Sequence, residues 1–336
     1  MIGGLGIAVD RPSSSIYNDP AQIAEQREKI RAQVRALKDL PGLIVWGLGN
    51  ESEWPRARQV NEAYWQELNE LAKIVKAEDP GHPVMNVIAG NSVWKIKAMM
   101  KFAPEIDIIG INSYGGAAAS AARLAEAGWE KPYILTEFGP RGHWEVPKTE
   151  WAAPVEPGSK AKAAGYLRGY HGVMDGTRNC LGTVAFVWAC KQEITGTWYG
   201  MFLETGEKTP AVDTMSLAYS GKYPANRSPE IEGVECAADR EKVAPGTEFT
   251  AKATVSDPEK DRLAYEWKVI RESGVRWAEG AHEPIPPTMT GCFPKGSDTA
   301  EVTVKAPEKP GAYRLFLFVR DGKGGGATQN IPFLVE

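Results

Sequence analysis

Short apolar runs alternate with amphipathic stretches from residue 6 to about residue 220, and this alternation restricts the chain more than anything else in it. The runs are strand-sized and the stretches between them have helical spacing, the pattern of repeated βα units around a parallel sheet. Six units can be counted. Strands are expected at residues 6–9, 43–48, 84–88, 106–111, 133–136 and 181–188. Asp19-Pro20 supplies an N-cap with proline at the first helical position, opening a helix with Ile23, Ile30, Val34 and Leu37 on one face. The next helix carries Val60, Tyr64, Leu68, Leu71 and Val75 and stops before Asp79-Pro80-Gly81. Further helices are expected through Trp94, Ile96 and Met99, and over residues 117–127, 160–174 and 210–219.

The pattern breaks at Pro224-Ala225-Asn226-Arg227-Ser228-Pro229, a polar, proline-rich run that reads as a linker over residues 223–229. From residue 230 onward apolar residues recur with period 2, over 249–255, 263–269, 300–304, 312–319 and 330–335. Turn clusters such as Asp257-Pro258-Glu259-Lys260-Asp261 and Asp321-Gly322-Lys323-Gly324-Gly325 separate these strands. Pattern and size together predict an all-β immunoglobulin-like sandwich over residues 230–336, after an α/β domain over residues 1–222.

Charge and composition remove several function classes. Lys and Arg number 39 against 43 Asp and Glu, a net charge of −4, which argues against nucleic acid as a partner. No apolar run approaches the roughly 18 residues that a membrane-spanning helix needs. Met1 is followed by Ile2-Gly3-Gly4-Leu5-Gly6 without basic residues, so no intact secretory signal is expected, and a native export signal would lie upstream. His82, His143, His171 and His282 have neither helical i,i+4 pairing nor cysteine partners, so no metal site is expected among them. Cys180 and Cys190 bracket one strand, too far apart to bridge, whereas a disulfide between Cys236 and Cys292 stays open.

In a parallel βα array, function gathers at the carboxyl ends of the strands. Two carboxylates lie there. Trp46-Gly47-Leu48-Gly49-Asn50-Glu51 ends the second counted strand, and Leu135-Thr136-Glu137-Phe138-Gly139 ends the fifth. Two carboxyls converging on one cleft are what glycosidic-bond cleavage requires: one protonates the leaving oxygen while the other attacks or activates water. Singly, either glutamate reads as well as a helix cap; the pair in these two contexts points to chemistry.

Asn50-Glu51 after a Trp-containing strand, with Thr136-Glu137-Phe138-Gly139 three strands later, resembles the acid/base and nucleophile signatures of retaining glycoside hydrolases with a (β/α)8 TIM barrel, most closely the family 2 catalytic domain. The likeness covers about residues 5–220. It implies that the six counted strands correspond to strands 3 to 8 of such a barrel, the first two βα units being absent. It implies Glu51 as general acid/base, Glu137 as nucleophile and Asn50 as hydrogen-bond donor to the sugar 2-hydroxyl. Asn112-Ser113-Tyr114 is similar to the strand-6 segment whose tyrosine touches the nucleophile, so Asn112 and Tyr114 join the substrate-binding set, and Trp188 matches the strand-8 tryptophan beneath the reacting sugar.

The implied activity is retaining hydrolysis of β-linked oligo- or polysaccharides, with carbohydrate as partner and no cofactor. A transglycosylase would use the same residues, and a non-catalytic carbohydrate-binding protein would keep them without turnover. Open edges of an incomplete barrel suit coverage by a second copy of the chain, and an exported, extracellular or periplasmic enzyme is expected. Trp54, Trp144, Trp151, Trp198 and Tyr199 fall in loops after strands, where an aromatic either packs the loop or stacks on a sugar ring. Of these, Trp54, Trp144 and Trp198 are taken as candidates for outer sugar subsites. The sandwich is similar to polycystic-kidney-disease-type and cadherin-like modules. Asp257, Asp261 and Asp321 suit Ca²⁺, although as plain turn residues, the preferred reading, they need no ion.

Overall fold

A computed structural model of the chain describes residues 1–11, 15–53, 60–175, 179–273 and 283–336. The chain divides into two compact units, residues 1–138 with 169–184, and residues 139–168 with 185–336.

In the first unit, β1 (Ile2–Leu5), β2 (Val45–Asn50), β3 (Val84–Ala89), β4 (Ile108–Asn112), β5 (Tyr133–Phe138) and β6 (Cys180–Ala185) form one sheet in chain order. Strands β1 to β5 pair in parallel. Helices α1 (Pro20–Leu37), α2 (Glu62–Glu78), α3 (Val93–Phe102) and α4 (Ser120–Ala127) make the crossovers that parallel neighbours require, and α5 (Ser159–Met174) precedes β6. Strands β2, β3 and β4 are buried over nearly their whole length, as strands covered on both faces are. This is a six-stranded wall of an incomplete TIM-type barrel, with β1 and β6 at its edges.

The first strand lies earlier than residues 6–9, where it was expected, and side chains explain why. Ala8 gives its N–H to Gln26 Oε1 (2.7 Å) and its carbonyl to the Tyr17 hydroxyl, so both backbone groups at the middle of this stretch are taken by side chains instead of a ladder. The ladder forms instead between Ile2 and Leu5, opposite Val45 and Leu48. Gln26 also alters the reading of α1, whose buried stripe is Gln26, Ile30 and Val34 while Leu37 is exposed. At its start, Asp19 accepts from the N–H groups of Ala21 and Gln22 ahead of Pro20, as the sequence predicts. Helix α2 buries Tyr64, Leu68, Leu71 and Val75, and Val60 precedes it. It ends at Asp79, whose carboxylate accepts from the Trp46 indole (2.9 Å) and Gly81 N–H (3.1 Å) and meets His82 Nδ1 at 2.8 Å. Strand β6 stops at Ala185, short of the expected residue 188, because Val187 bonds instead to the backbone of Tyr199 (3.2 Å) and Met201 (3.1 Å).

The second unit holds α6 (Pro210–Ser220), β7 (Glu230–Cys236), β8 (Lys242–Val243), β9 (Glu248–Ser256), β10 (Ala264–Arg271), β11 (Thr288–Met289), β12 (Glu301–Lys305), β13 (Gly311–Arg320) and β14 (Gly326–Val335). The strands form a larger sheet, β11-β10-β13-β14-β8, and a smaller one, β12-β9-β7. Both feed one apolar core: Ile231, Phe249, Ala251, Val302 and Val304 from the smaller, and Trp267, Val269, Leu315, Leu317 and Phe333 from the larger. All four cysteines carry free thiols, and burial pushes the Cys236 thiol up to about 11.

Part of the other face of the larger sheet is covered too, with polar groups at its centre. Arg314 donates to Pro154 O (2.5 Å), and Thr328 N–H to Ser159 Oγ (3.1 Å). Glu156 sits among these residues, accepting from the Lys162 ammonium, the hydroxyls of Thr195 (2.6 Å) and Thr197 (2.8 Å), and the Asn330 amide (2.5 Å). Within the proline-rich run, Ser228 is buried and its N–H donates to Asp213 (2.6 Å).

Candidate active site

Strand β2 leaves the sheet through Gly49-Asn50-Glu51. Gly49 has φ 79°, and a Cβ there would lie 2.5 Å from Ser52 Oγ, so the turn needs glycine. Glu51 follows at φ 49°, in the left-handed region, which costs a non-glycine residue roughly 1–2 kcal/mol. Its N–H is held by Val87 O of β3 (2.9 Å). The Glu51 carboxylate accepts from Asn112 Nδ2 of β4 (2.9 Å), which also reaches Asn50 Oδ1 (3.1 Å).

An irregularity between β4 and β5 sets the second glutamate opposite Asn112. Ile111 stands opposite Leu135 but Asn112 opposite Glu137, so Thr136 is the extra residue of a bulge, a device that re-aims side chains. Thr136 Oγ1 then donates to Asn112 Oδ1 (2.8 Å). That bond fixes the buried amide, turning its NH₂ toward Glu51. Ser113 N–H donates to Glu137 O (2.9 Å), and the Tyr114 hydroxyl to Glu137 Oε2 (2.9 Å). Asn112 is therefore the common neighbour of both glutamates, bonded to one and paired in register with the other.

Behind this group the carboxylate of Glu53 accepts from Lys95 Nζ of α3 (2.7 Å) and from Ala89 N–H (2.7 Å). Burial pushes the Glu53 carboxyl above its ordinary value, against the opposing pull of Lys95. Sequence gives no role to Glu53, Lys95 or Thr136. Thr136 stood in plain sight beside Glu137, but periodicity carries no sign of a bulge. Lys95, within Trp94-Lys95-Ile96, reads as a solvated position on a helix.

The predicted aromatic residues separate by exposure. Trp188 is 67% exposed, with its ring edge-on to Phe202 at 4.8 Å, and Trp144 is 57% exposed, edge-on to His143 at 4.9 Å. Trp198 corrects the expectation: it is fully buried, its indole N–H is spent on Arg141 O (3.0 Å), and it has no face to offer a sugar. Trp54 lies outside the described residues. Carboxylate oxygens of Asp257, Asp261 and Asp321 lie within 4.8 Å of one another. Asp257 accepts from the N–H groups of Glu259 (3.1 Å) and Asp261 (2.9 Å), and Asp321 from those of Lys323 (2.6 Å) and Gly325 (2.9 Å), bonds that hold two turns.

Residues 4–144 match the family model for glycosyl hydrolases family 2, TIM barrel domain. The N-terminal part of the chain is similar to that domain. Among solved structures, the chain is similar to a β-glucuronidase of Bacteroides uniformis, at 14% identity and TM-score 0.46, covering 100% of this chain and 39% of that one. A β-glucuronidase of Bifidobacterium dentium gives 18% identity and TM-score 0.47 over 62% of this chain and 35% of that one. A putative β-galactosidase of Bacteroides fragilis gives 15% and 0.42 over 91% and 43%. The chain thus spans about two fifths of the length of the first of these structures. No curated protein matches. Among the described residues, no helix is long and apolar enough to cross a membrane.

Proposed function

We propose that this chain acts as a retaining glycoside hydrolase on β-linked sugars, with Glu137 as nucleophile and Glu51 as general acid/base. The observation that carries the reading is Asn112, which bonds to the Glu51 carboxylate and stands opposite Glu137 on the next strand. Tyr114 supports it by holding Glu137 Oε2. In the first step a Glu137 oxygen attacks the anomeric carbon, the bond to the leaving oxygen breaks, and the Glu51 proton passes to that oxygen. In the second, Glu51 takes a proton from water, whose oxygen displaces Glu137 from the sugar. The charge on Glu137 favours the protonated form of Glu51 before the first step, and its loss on esterification favours the base needed for the second. The exposed rings of Trp188 and Trp144 are the stacking faces assigned to carbohydrate.

A panel of aryl β-glycosides and β-glucan oligosaccharides tests this. Glu137→Gln abolishes turnover, while Glu51→Ala keeps activity on substrates with good leaving groups and loses about 10²–10⁴-fold on poor ones. Unchanged hydrolysis by the Glu137 variant rules out its role, and sugar binding without product from the parent chain points to a non-catalytic protein.

A further inference from the structure

We infer that the buried Glu53–Lys95 pair is a positioning device for Glu51, an inference that rests on the acid/base role proposed above. Glu53 Oε1 accepts from Ala89 N–H (2.7 Å) and Lys95 Nζ (2.7 Å), while Lys95 Nζ also donates to Ala89 O (2.6 Å). One ion pair thereby takes up both backbone groups of the residue at which β3 ends. Ala89 stands opposite Asn112 in the β3–β4 register, and Gly90 N–H donates to Asn112 O (2.7 Å). Asn112 returns to the Glu51 carboxylate. The links close a circuit: Glu51 along the chain to Glu53, across to Ala89, across to Asn112, and back to Glu51.

The circuit holds Glu51 from both ends, from its backbone through Glu53 and from its side chain through Asn112. That grip opposes relaxation of the left-handed backbone at Glu51. Stability alone does not account for the pair. The two side chains are only 4% and 3% exposed, and at such depth apolar residues of similar volume often serve the fold as well or better. What apolar residues lack is a hold on both N–H and C=O of Ala89. Glu53 Oε2 is buried with no hydrogen-bond partner among the described residues, so only the oxygen aimed at Ala89 and Lys95 is engaged.

The test is the double variant Glu53→Met/Lys95→Met, checked for a cooperative thermal transition. Its kcat on aryl β-glycosides with poor leaving groups falls about 10- to 100-fold, while on activated aryl glycosides it falls less than about 3-fold, with KM unchanged, because only the poor leaving groups need the acid. Equal losses on both substrate types, or no loss, overturn the inference. A readout free of turnover accompanies it: the carboxyl-carbon NMR titration of Glu51, assigned by its disappearance in Glu51→Gln. The double variant shifts that midpoint by about half a unit or more as the Asn112 bond is lost, and an unmoved midpoint overturns the positioning role whatever the activity. A parent chain that hydrolyses nothing, with a midpoint that still moves, refutes the glycosidase reading and leaves the positioning role standing. If the double variant does not fold, Lys95→Met, which removes the donor to Ala89 O and the counter-charge of Glu53, is read in the same two ways.

Discussion

Asn112 carries more of the site than either glutamate can by itself. Its carbonyl oxygen takes the Thr136 hydroxyl, its NH₂ serves Asn50 and Glu51, and its backbone pairs with Ala89 and Glu137. Asn112→Ala takes one hydrogen bond from the Thr136 hydroxyl and one from the Glu51 carboxylate, both half-buried, and each such bond contributes about 0.5–1.5 kcal/mol. If the proposed activity holds, steady-state kinetics should show kcat reduced about 10- to 1,000-fold with a melting temperature lowered by several degrees, and an Asn112→Ala variant of parental kcat would remove Asn112 from the site. The two glutamates stand out in the sequence because each follows apolar strand residues. Trp198 does not, since a loop position does not tell a packed ring from an offered one. Glu53 and Lys95 were invisible because their partner is a backbone residue, Ala89, whose identity encodes nothing.

Among the elements, the stretch after β5 has a fate set by one carboxylate. Glu156 joins residues 139–168 to the segment at Thr195 and Thr197 and to β14 through Asn330. Burial opposes its ionisation, but Lys162, Arg314 and the surrounding donors outweigh that and hold the carboxyl below its ordinary value of 4.5. With the folded value depressed, its stabilisation is complete above about pH 4.5 and is lost as pH falls through the lower folded value. Glu156→Gln leaves the Lys162 ammonium buried without its counter-charge, so at neutral pH the variant should lose about 3–5 kcal/mol in denaturant unfolding. The parent's stability should decline below pH 4.5 more steeply than the variant's; parallel pH profiles would show that Glu156 carries no such linkage. None of this cluster was foreseen. Sequence periodicity predicts which face of a strand is apolar, and here Arg314 and Asn330, on the opposite face, are covered by polar partners although they read as solvent-exposed.

Across the whole chain, the element order was the legible part. Five of the six α/β strands fall within a few residues of their expected places, and the exception, β1, was displaced by side-chain bonds from Gln26 and Tyr17. Less legible was how the sheet ends. Strands β1 and β6 form its edges, and β6 exposes Leu181 and Val184 while β1 exposes Ile2. End strands that carry exposed apolar side chains favour association, so light scattering should record a concentration-dependent rise in mass that Leu181→Lys reduces; a strictly monomeric parent would count against it. At the other end of the chain, the sheet face carrying Arg314, Thr328 and Asn330 is satisfied by Pro154, Glu156 and Ser159. Transplanted alone onto another enzyme, residues 230–336 would arrive with those polar groups bare. As a part for recombination they are inseparable from the stretch they cover, and they travel with it or not at all.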